Sequence, residues 1–449
     1  MLFHLANIFQ DKSRSGRLKI DIIGSVALKG ISVVLSLLIV PLTIDYVNPT
    51  QYGIWLTLSS LVSWIVFFDA GLTLGFRNKF GEAIAKDKHL LAKVYVSNTY
   101  YVLGLICAII LITVFVGGGY VNWASMLGVE SSYQNELSKV FSLLVIFFSF
   151  QLVFQTMSTI LVADQKVMWS SLINVIGQML TLIVIFILSR MRQHGDLIDL
   201  VWVVSGMPVI VLFLASLLLF TKRYRAYRPT FRYFRFRYVK DVLGTGYKFF
   251  IITTAMLFIF QLMNVIISKS LGPEAVTEYN IAYKYYNVFF MFLTLVLNPI
   301  WTAFTNAFSN KDYNWMRSTL RRIDRFAWGI WGGLGIMFVI SKLFYKIWIG
   351  DSVSVPVGVN ISVAIYMMIM SVANVYMYLV NGIGKVSLQL YIYLVFAIIA
   401  YPSMNYLCGK YGISGLLIVP SIVYVIQACL LKIQVNRIIR GKASGIWNH

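Results

Sequence analysis

Three lysines stand where a charge is expensive. Lys29, Lys248 and Lys284 each lie one to three helical turns inside a long apolar run. A charge at that depth usually faces a water-filled cavity, where a compact ammonium can hold an anion. The alternative is snorkelling, in which the long stem returns the charge to the interface. Asp69 is the one acid near the interior of such a run, about two turns before Arg77 and Lys79. A salt bridge or a packing role beside Gly71 and Gly75 is the commoner use of such a residue, since glycines four apart let helices approach closely. Proton or cation coupling is the other use. Arg77 and Lys79 suit positive anchors at a membrane face, or else a landing site for an anionic headgroup. Ten amides (Gln151, Gln155, Asn174, Gln178, Gln261, Asn264, Asn287, Asn298, Asn374 and Asn381) lie inside apolar runs. They could bond sugar hydroxyls, although helix–helix bonding is the usual role of any one.

Signatures of catalysis are missing from the sequence. The four histidines (His4, His89, His194 and His449) fall in loops or termini with no metal-ligand spacing. No Gly-rich phosphate loop ending in Lys-Ser/Thr occurs, so ATP hydrolysis is not encoded. Asp196 and Asp199 read as a solvated pair in a loop, with nothing nearby to desolvate an acid/base dyad. Cys107, Cys408 and Cys429 lie in apolar runs and make no metal cluster. The expectation is a protein that is not an enzyme and needs no cofactor or metal.

The elements that must position these groups follow from composition. Of 449 residues, 59% are hydrophobic and 12% charged, against about 25% charged in a soluble domain. Twelve segments reach the roughly 20 apolar residues that cross a bilayer: 20–44, 53–76, 94–117, 139–162, 167–189, 198–221, 242–268, 279–305, 326–349, 357–381, 386–408 and 412–432. The first is too long for a signal-peptide core and lacks a small-x-small cleavage site, so it reads as an anchor. With the N-terminus inside, cytoplasmic segments hold 28 of the 38 Lys and Arg, and external segments hold 7. The positive-inside rule then places both termini in the cytoplasm and explains most of the +21 net charge without nucleic acid. The largest internal loop, Lys222 to Lys240, interleaves eight basic residues with seven aromatics. Nucleic-acid binding is one reading of that pattern. Between membrane helices it more often lies on anionic headgroups.

The basic loop divides the chain into an N-terminal lobe (1–221), a linker (222–240) and a C-terminal lobe (241–449), with six spans each side. Asn48-Pro49 followed by Tyr52, and Gly272-Pro273 followed by Tyr279, recur before Phe76 to Phe80 and Phe304 to Phe308 at nearly equal spacing. Duplication is the expected cause. An even number of spans per repeat makes the repeats parallel, as in transporters that rock two bundles. The expected fold is all-α and polytopic, with about 12 transmembrane helices in two six-helix lobes around a central cavity.

The stretch from Phe68 through Asp69, Gly71, Leu72, Gly75, Arg77 and Asn78 to Lys79 resembles a motif of bacterial oligosaccharide flippases. These are the O-antigen and polysaccharide exporters of the multidrug/oligosaccharidyl-lipid/polysaccharide superfamily. The resemblance covers the whole chain in span count and is specific in residues 45–90; two further spans common in relatives are absent. It implies transfer of an undecaprenyl-pyrophosphate-linked oligosaccharide across the bacterial inner membrane, for lipopolysaccharide O-antigen or another surface polysaccharide. It implies cationic cavity residues on the first, second, seventh and eighth spans, so Lys29, Lys248, Lys284, Arg77 and Asn78 are the expected substrate contacts, and Asp69 is the candidate for ion coupling. Membrane lipids, a polysaccharide polymerase and a chain-length regulator are the implied partners. The competing expectations are a multidrug/cation exporter, for which deep acids would be wanted, and a membrane polysaccharide polymerase, for which a long external loop would be wanted.

Overall fold

A computed structural model describes residues 14–69, 71–117, 121–127, 129–191, 195–243 and 247–448. No strand occurs among them. The helices are α1 (Arg14–Val47), α2 (Pro49–Val62), α3 (Leu72–Ala85), α4 (His89–Gly117), α5 (Gln134–Ala163) and α6 (Val167–Met191). After them come α7 (Leu197–Thr221, with a π turn at Trp202–Gly206), α8 (Phe236–Leu243), α9 (Tyr247–Leu271) and α10 (Pro273–Ser309). The last three are α11 (Tyr313–Trp348), α12 (Val357–Ile383) and α13 (Ser387–Ile439). Among the described residues, nine helices are long and apolar enough to cross a membrane. One of these, α13, is broken by non-helical geometry at Gly412 (φ 65°, ψ −151°) and so makes two crossings. With the 25-residue α9 these make eleven helical segments of crossing length, and the 14-residue α2 runs on into the 3₁₀ stretch Ser63–Asp69.

Boundaries depart furthest from the sequence reading at two places. The predicted span 53–76 is not one helix: α2 ends at Val62, a 3₁₀ stretch runs Ser63–Asp69, and α3 begins after Gly71. Gly71 takes φ 75°, a left-handed geometry that a residue with a Cβ resists. In the C-terminal half, α11 starts at Tyr313, thirteen residues before the predicted span at 326. The Asp312 carboxylate accepts a bond from the Trp315 amide at 3.0 Å and so caps an end that hydropathy does not register.

Two compact units result. Unit 1 holds residues 1–48, 62–125 and 130–247; unit 2 holds 49–61, 126–129 and 248–449. The core of unit 1 gathers Phe76, Phe80, Leu103 and Met157, all fully buried. Unit 2 fastens α2 through polar bonds. Thr277 Oγ1 donates to the Pro49 carbonyl at 2.6 Å, and Asn264 Nδ2 donates to Ser60 Oγ at 2.7 Å. A Cβ built on Gly53 would fall 1.8 Å from the Pro273 carbonyl oxygen, so that contact needs glycine.

The backbone repeats itself. Asn48 (φ 100°) precedes Pro49 at the start of α2, and Gly272 (φ 91°) precedes Pro273 at the start of α10. From Asn48 to Asp87 (φ 54°), and from Gly272 to Lys311 (φ 56°), the left-handed residues are 39 apart in each case. This register pairs Phe80 with Phe304, both fully buried. The aromatic matches read from sequence are displaced from it, because aromatics recur at many positions on apolar helices.

Candidate functional site

α1 has distinct faces. Ile23, Ile31, Val34 and Leu38 make an exposed apolar stripe. At about 100° per residue, Lys29 lies roughly 160° round from the centre of that stripe. On its side of the helix Ser25, Lys29, Ser32, Ser36 and Thr43 fall within about 60° of one another. Ser36 and Thr43 return their hydroxyls to the carbonyls of Val33 and Ile39, at 2.8 and 2.6 Å. Lys29 itself is exposed and has no ion pair among the described residues.

The same construction recurs on α10 in unit 2. Tyr286, Leu293, Leu297 and Phe304 form its buried row. Phe292 and Val296 form an exposed apolar row. A third face carries Asn280, Lys284, Asn287, Thr294, Asn298 and Thr305 within an arc of about 80°. Lys284 lies roughly 160° from the centre of the buried row, half-buried and with no carboxylate partner among the described residues. Each stripe places its lysine four residues after its first polar member and another polar residue three later. A row with a 3.5-residue repeat drifts only about 20° per seven residues and so holds one side of a helix over several turns. Sequence reading found the lysines and the amides Asn287 and Asn298 one by one; the phase that unites them was there in the spacing.

Neighbouring bonds hold α10 in place. Asn280 Nδ2 donates to Asn264 Oδ1 at 2.9 Å, extending the bond to Ser60. On the buried side the Tyr286 and Tyr345 hydroxyls both donate to Asn360 Oδ1 at 2.9 Å, and Asn360 Nδ2 donates to Ser341 Oγ at 2.8 Å. These four residues, from α10, α11 and α12, were not singled out in the sequence. A second tie joins α11, α12 and α13: Tyr376 donates to Asp324 at 2.6 Å, and Lys432 pairs with the same carboxylate at 3.0 Å.

The remaining predicted residues scatter. Lys248 is on α9, but its side chain lies outside those described. Asp69 Oδ1 accepts from the amide and the hydroxyl of Thr73, at 3.0 and 2.6 Å, and thereby caps the start of α3. Arg77 and Asn78 are exposed on α3, opposite Phe76 and Phe80, which enter the core. Of the ten amides, Asn264 joins the ladder to Ser60, and Asn374 bonds the Met370 carbonyl of its own helix. Gln178 and Asn381 each bury a carbonyl oxygen without a protein partner. Asp196 stays exposed and Asp199 is half-buried, and each carboxylate has a bonding partner. Asp196 caps α7 by accepting from the Ile198 amide at 3.2 Å, and Asp199 accepts from the Tyr46 hydroxyl at 3.2 Å. Folding brings α1 beside the loop and gives Asp199 a partner that sequence distance hides.

The basic linker is a built part of unit 1. Tyr224, Tyr227, Phe234 and Tyr238 turn inward against the ends of the spanning helices. Tyr224 donates to Asp164 at 2.6 Å, and Lys166 bonds both. Burial pushes the Tyr224 phenol up to about 12, so the hydroxyl stays a donor at neutral pH. Asn98 Oδ1 accepts from the Arg235 amide at 2.9 Å, and Ser97 Oγ accepts from the Thr230 amide at 3.1 Å. All eight basic side chains remain exposed.

Two lobes of long apolar helices, two of which carry polar stripes along their length, define a multi-pass membrane transporter fold. Solved structures agree. An inward-facing multidrug resistance MATE family transporter of the MOP superfamily superposes with a TM-score of 0.72 at 13% identity, over 92% of this chain and all of that one. An outward-facing MATE family transporter gives 0.64 at 14% identity, over 95% of each chain. A MATE in the straight conformation gives 0.63 at 13%, again over 95% of each. No curated protein sequence matches the chain. Residues 20–304 match the polysaccharide biosynthesis protein family, and the chain belongs to that family.

Proposed function

We propose that the protein is a flippase carrying an undecaprenyl-pyrophosphate-linked oligosaccharide from the cytoplasmic to the external leaflet of the bacterial inner membrane by alternating access. The observation that carries this reading is the pair of polar stripes on α1 and α10. Each bears a deep lysine without a carboxylate partner, flanked by hydroxyls or amides. Such a surface suits a cargo with an anionic head and sugar hydroxyls, because a compact ammonium meets the diphosphate while the neutral polar groups accept and donate to the sugar. Lys29 and Lys284 would bind the head, with Lys248, Arg77 and Asn78 as further contacts. Asp69 would couple an ion only by giving up its bonds to Thr73. On this reading the lobes are 1–221 and 241–449, and both termini are cytoplasmic. Polymerase and chain-length regulator would take the product, and no catalysis is assigned.

The second reading is export of a cationic drug, which the multidrug transporters of similar fold suggest. It would want an unengaged carboxylate on one of the stripes; the acid nearest in phase to either, Asp21 at the start of α1, accepts from the Met168 amide. A deletion strain separates the two. Loss of surface polysaccharide with unchanged sensitivity to cationic dyes supports the flippase. Raised dye sensitivity with normal polysaccharide overturns it. Complementation with Lys284→Ala should leave polysaccharide absent, and Lys284→Arg should restore part of it.

A further inference from the structure

The linker's outward face has a different chemistry from either stripe. No acid lies between Lys222 and Lys240, and all eight bases of that segment are exposed. They are carried on a folded shelf. Its backbone is tied to Ser97 and Asn98 of α4, and its aromatics are packed against that helix: Tyr95 meets Tyr238 edge-on at 5.7 Å, and Tyr101 meets Phe231 at 5.4 Å. Tyr227 reaches the first residue of α4, its hydroxyl 2.6 Å from His89 Nδ1. The shelf therefore sits where spanning helices of unit 1 end, at headgroup depth. Two aromatics keep most of their surface open: Phe231 is 72% exposed and Phe236 63% exposed, between bases that have no carboxylate partner among the described residues.

We infer that this shelf is a binding surface for anionic phospholipid headgroups of the leaflet it faces, with Phe231 and Phe236 inserted among the acyl chains. Charge complementarity identifies the occupant: a dense row of phosphates in a bilayer meets a dense row of guanidinium groups, and the segment that carries them, Lys222 to Lys240, holds no acid. Prefolding matters too. The rotamers and backbone are fixed before lipid arrives, so little ordering entropy opposes binding. The proposal rests only on the spanning topology given above, not on the identity of the cargo.

The test uses the full-length protein in bilayer nanodiscs made from equal parts phosphatidylglycerol and phosphatidylcholine, with a photoactivatable version of each lipid in turn. Adducts are mapped to residues 222–240. Each base near a charged surface is worth roughly a fivefold preference, so the wild-type shelf should collect phosphatidylglycerol over phosphatidylcholine by about tenfold or more. Changing Arg225, Arg228, Arg232 and Arg237 together to Gln should bring the two yields close to parity. These side chains make no bonds within the fold, so the variant should fold normally. The matched control, Gln at Arg317, Arg321, Arg322 and Arg325 of α11, should leave the linker preference unchanged. Phe231→Ser with Phe236→Ser should lower the yield of both lipids while keeping their ratio. Equal yields from the two lipids on wild-type protein would overturn the inference and leave an acidic protein as the better occupant. Neither result touches the transport reading, because no polysaccharide is measured and both membrane faces are present.

Discussion

Gly53→Ala tests whether the first part of α2 is a fixed element of unit 2. The added Cβ would lie 1.8 Å from the Pro273 carbonyl oxygen, 2.6 Å from its carbon and 3.0 Å from Thr277 Oγ1. A normal contact needs about 3.2 Å or more, so backbone must move by well over an ångström. None of the three atoms belongs to the far end of a flexible side chain. The shift would also stretch the 2.6 Å bond from Thr277 to the Pro49 carbonyl. Overpacking a tight site costs about 1–3 kcal/mol, and loss of the bond adds about 1 kcal/mol. Alanine's better helix propensity returns about 1 kcal/mol at most. The net expectation is a destabilisation of about 1–3 kcal/mol. Gly104→Ala in α4 is the control, since a Cβ there meets nothing within 4 Å and should leave stability equal or slightly higher. Thermal unfolding of both purified variants, followed by intrinsic fluorescence, gives the comparison. A Gly53→Ala protein as stable as Gly104→Ala would refute the close approach of α2 to α10.

Other consequences are open to direct measurement. Lys29→Cys and Lys284→Cys should react with a small polar thiol reagent much faster than Ile31→Cys and Phe292→Cys, which lie on the exposed apolar faces of the same helices; equal rates would favour snorkelling. Asn360→Ala strands two phenol hydroxyls in the packed side of α10 and should cost about 2–4 kcal/mol, read by chemical denaturation, whereas Tyr286→Phe should cost about 1 kcal/mol. Tyr224→Phe removes a bond to a carboxylate and should cost about 1.5–3 kcal/mol at neutral pH. The unfolded phenol ionises near 10 and the folded one near 12, so the unfolded state gains as pH rises across that window. Wild-type protein should therefore lose stability between pH 10 and 12 more steeply than Tyr224→Phe does.

Much of the fold was legible because bilayer crossing is a demand on length and hydropathy alone, which runs such as Val102 to Val116 display openly. What hydropathy could not show was local backbone geometry. The break at Ser63–Asp69 occurs inside an apolar run, and the left-handed Gly71 then starts the next helix. The start of α11 hides in the opposite way, since Arg317 to Arg325 read as loop while Asp312 caps a helix that carries them. Of the candidate site, Lys29 and Lys284 were visible as isolated costs. Their stripes required the helical phase of α1 and α10 to be known over five or more turns. Asp199 shows the limit most plainly: its partner Tyr46 is 153 residues away, and only folding names it.

The turn at Gly412 bears on how the protein enters its membrane. The two arms of α13 fold back with almost no connecting chain. Tyr393 on one arm donates to Gln427 on the other at 2.8 Å, both deeply buried. Threaded singly into lipid, each arm would carry a polar group with no partner, at a cost of several kcal/mol. Delivered together, the arms satisfy each other before either meets hydrocarbon. The last two crossings are thus a single insertion unit for the biogenesis machinery. A ribosome stalled between them would leave an arm that the membrane is poorly disposed to keep.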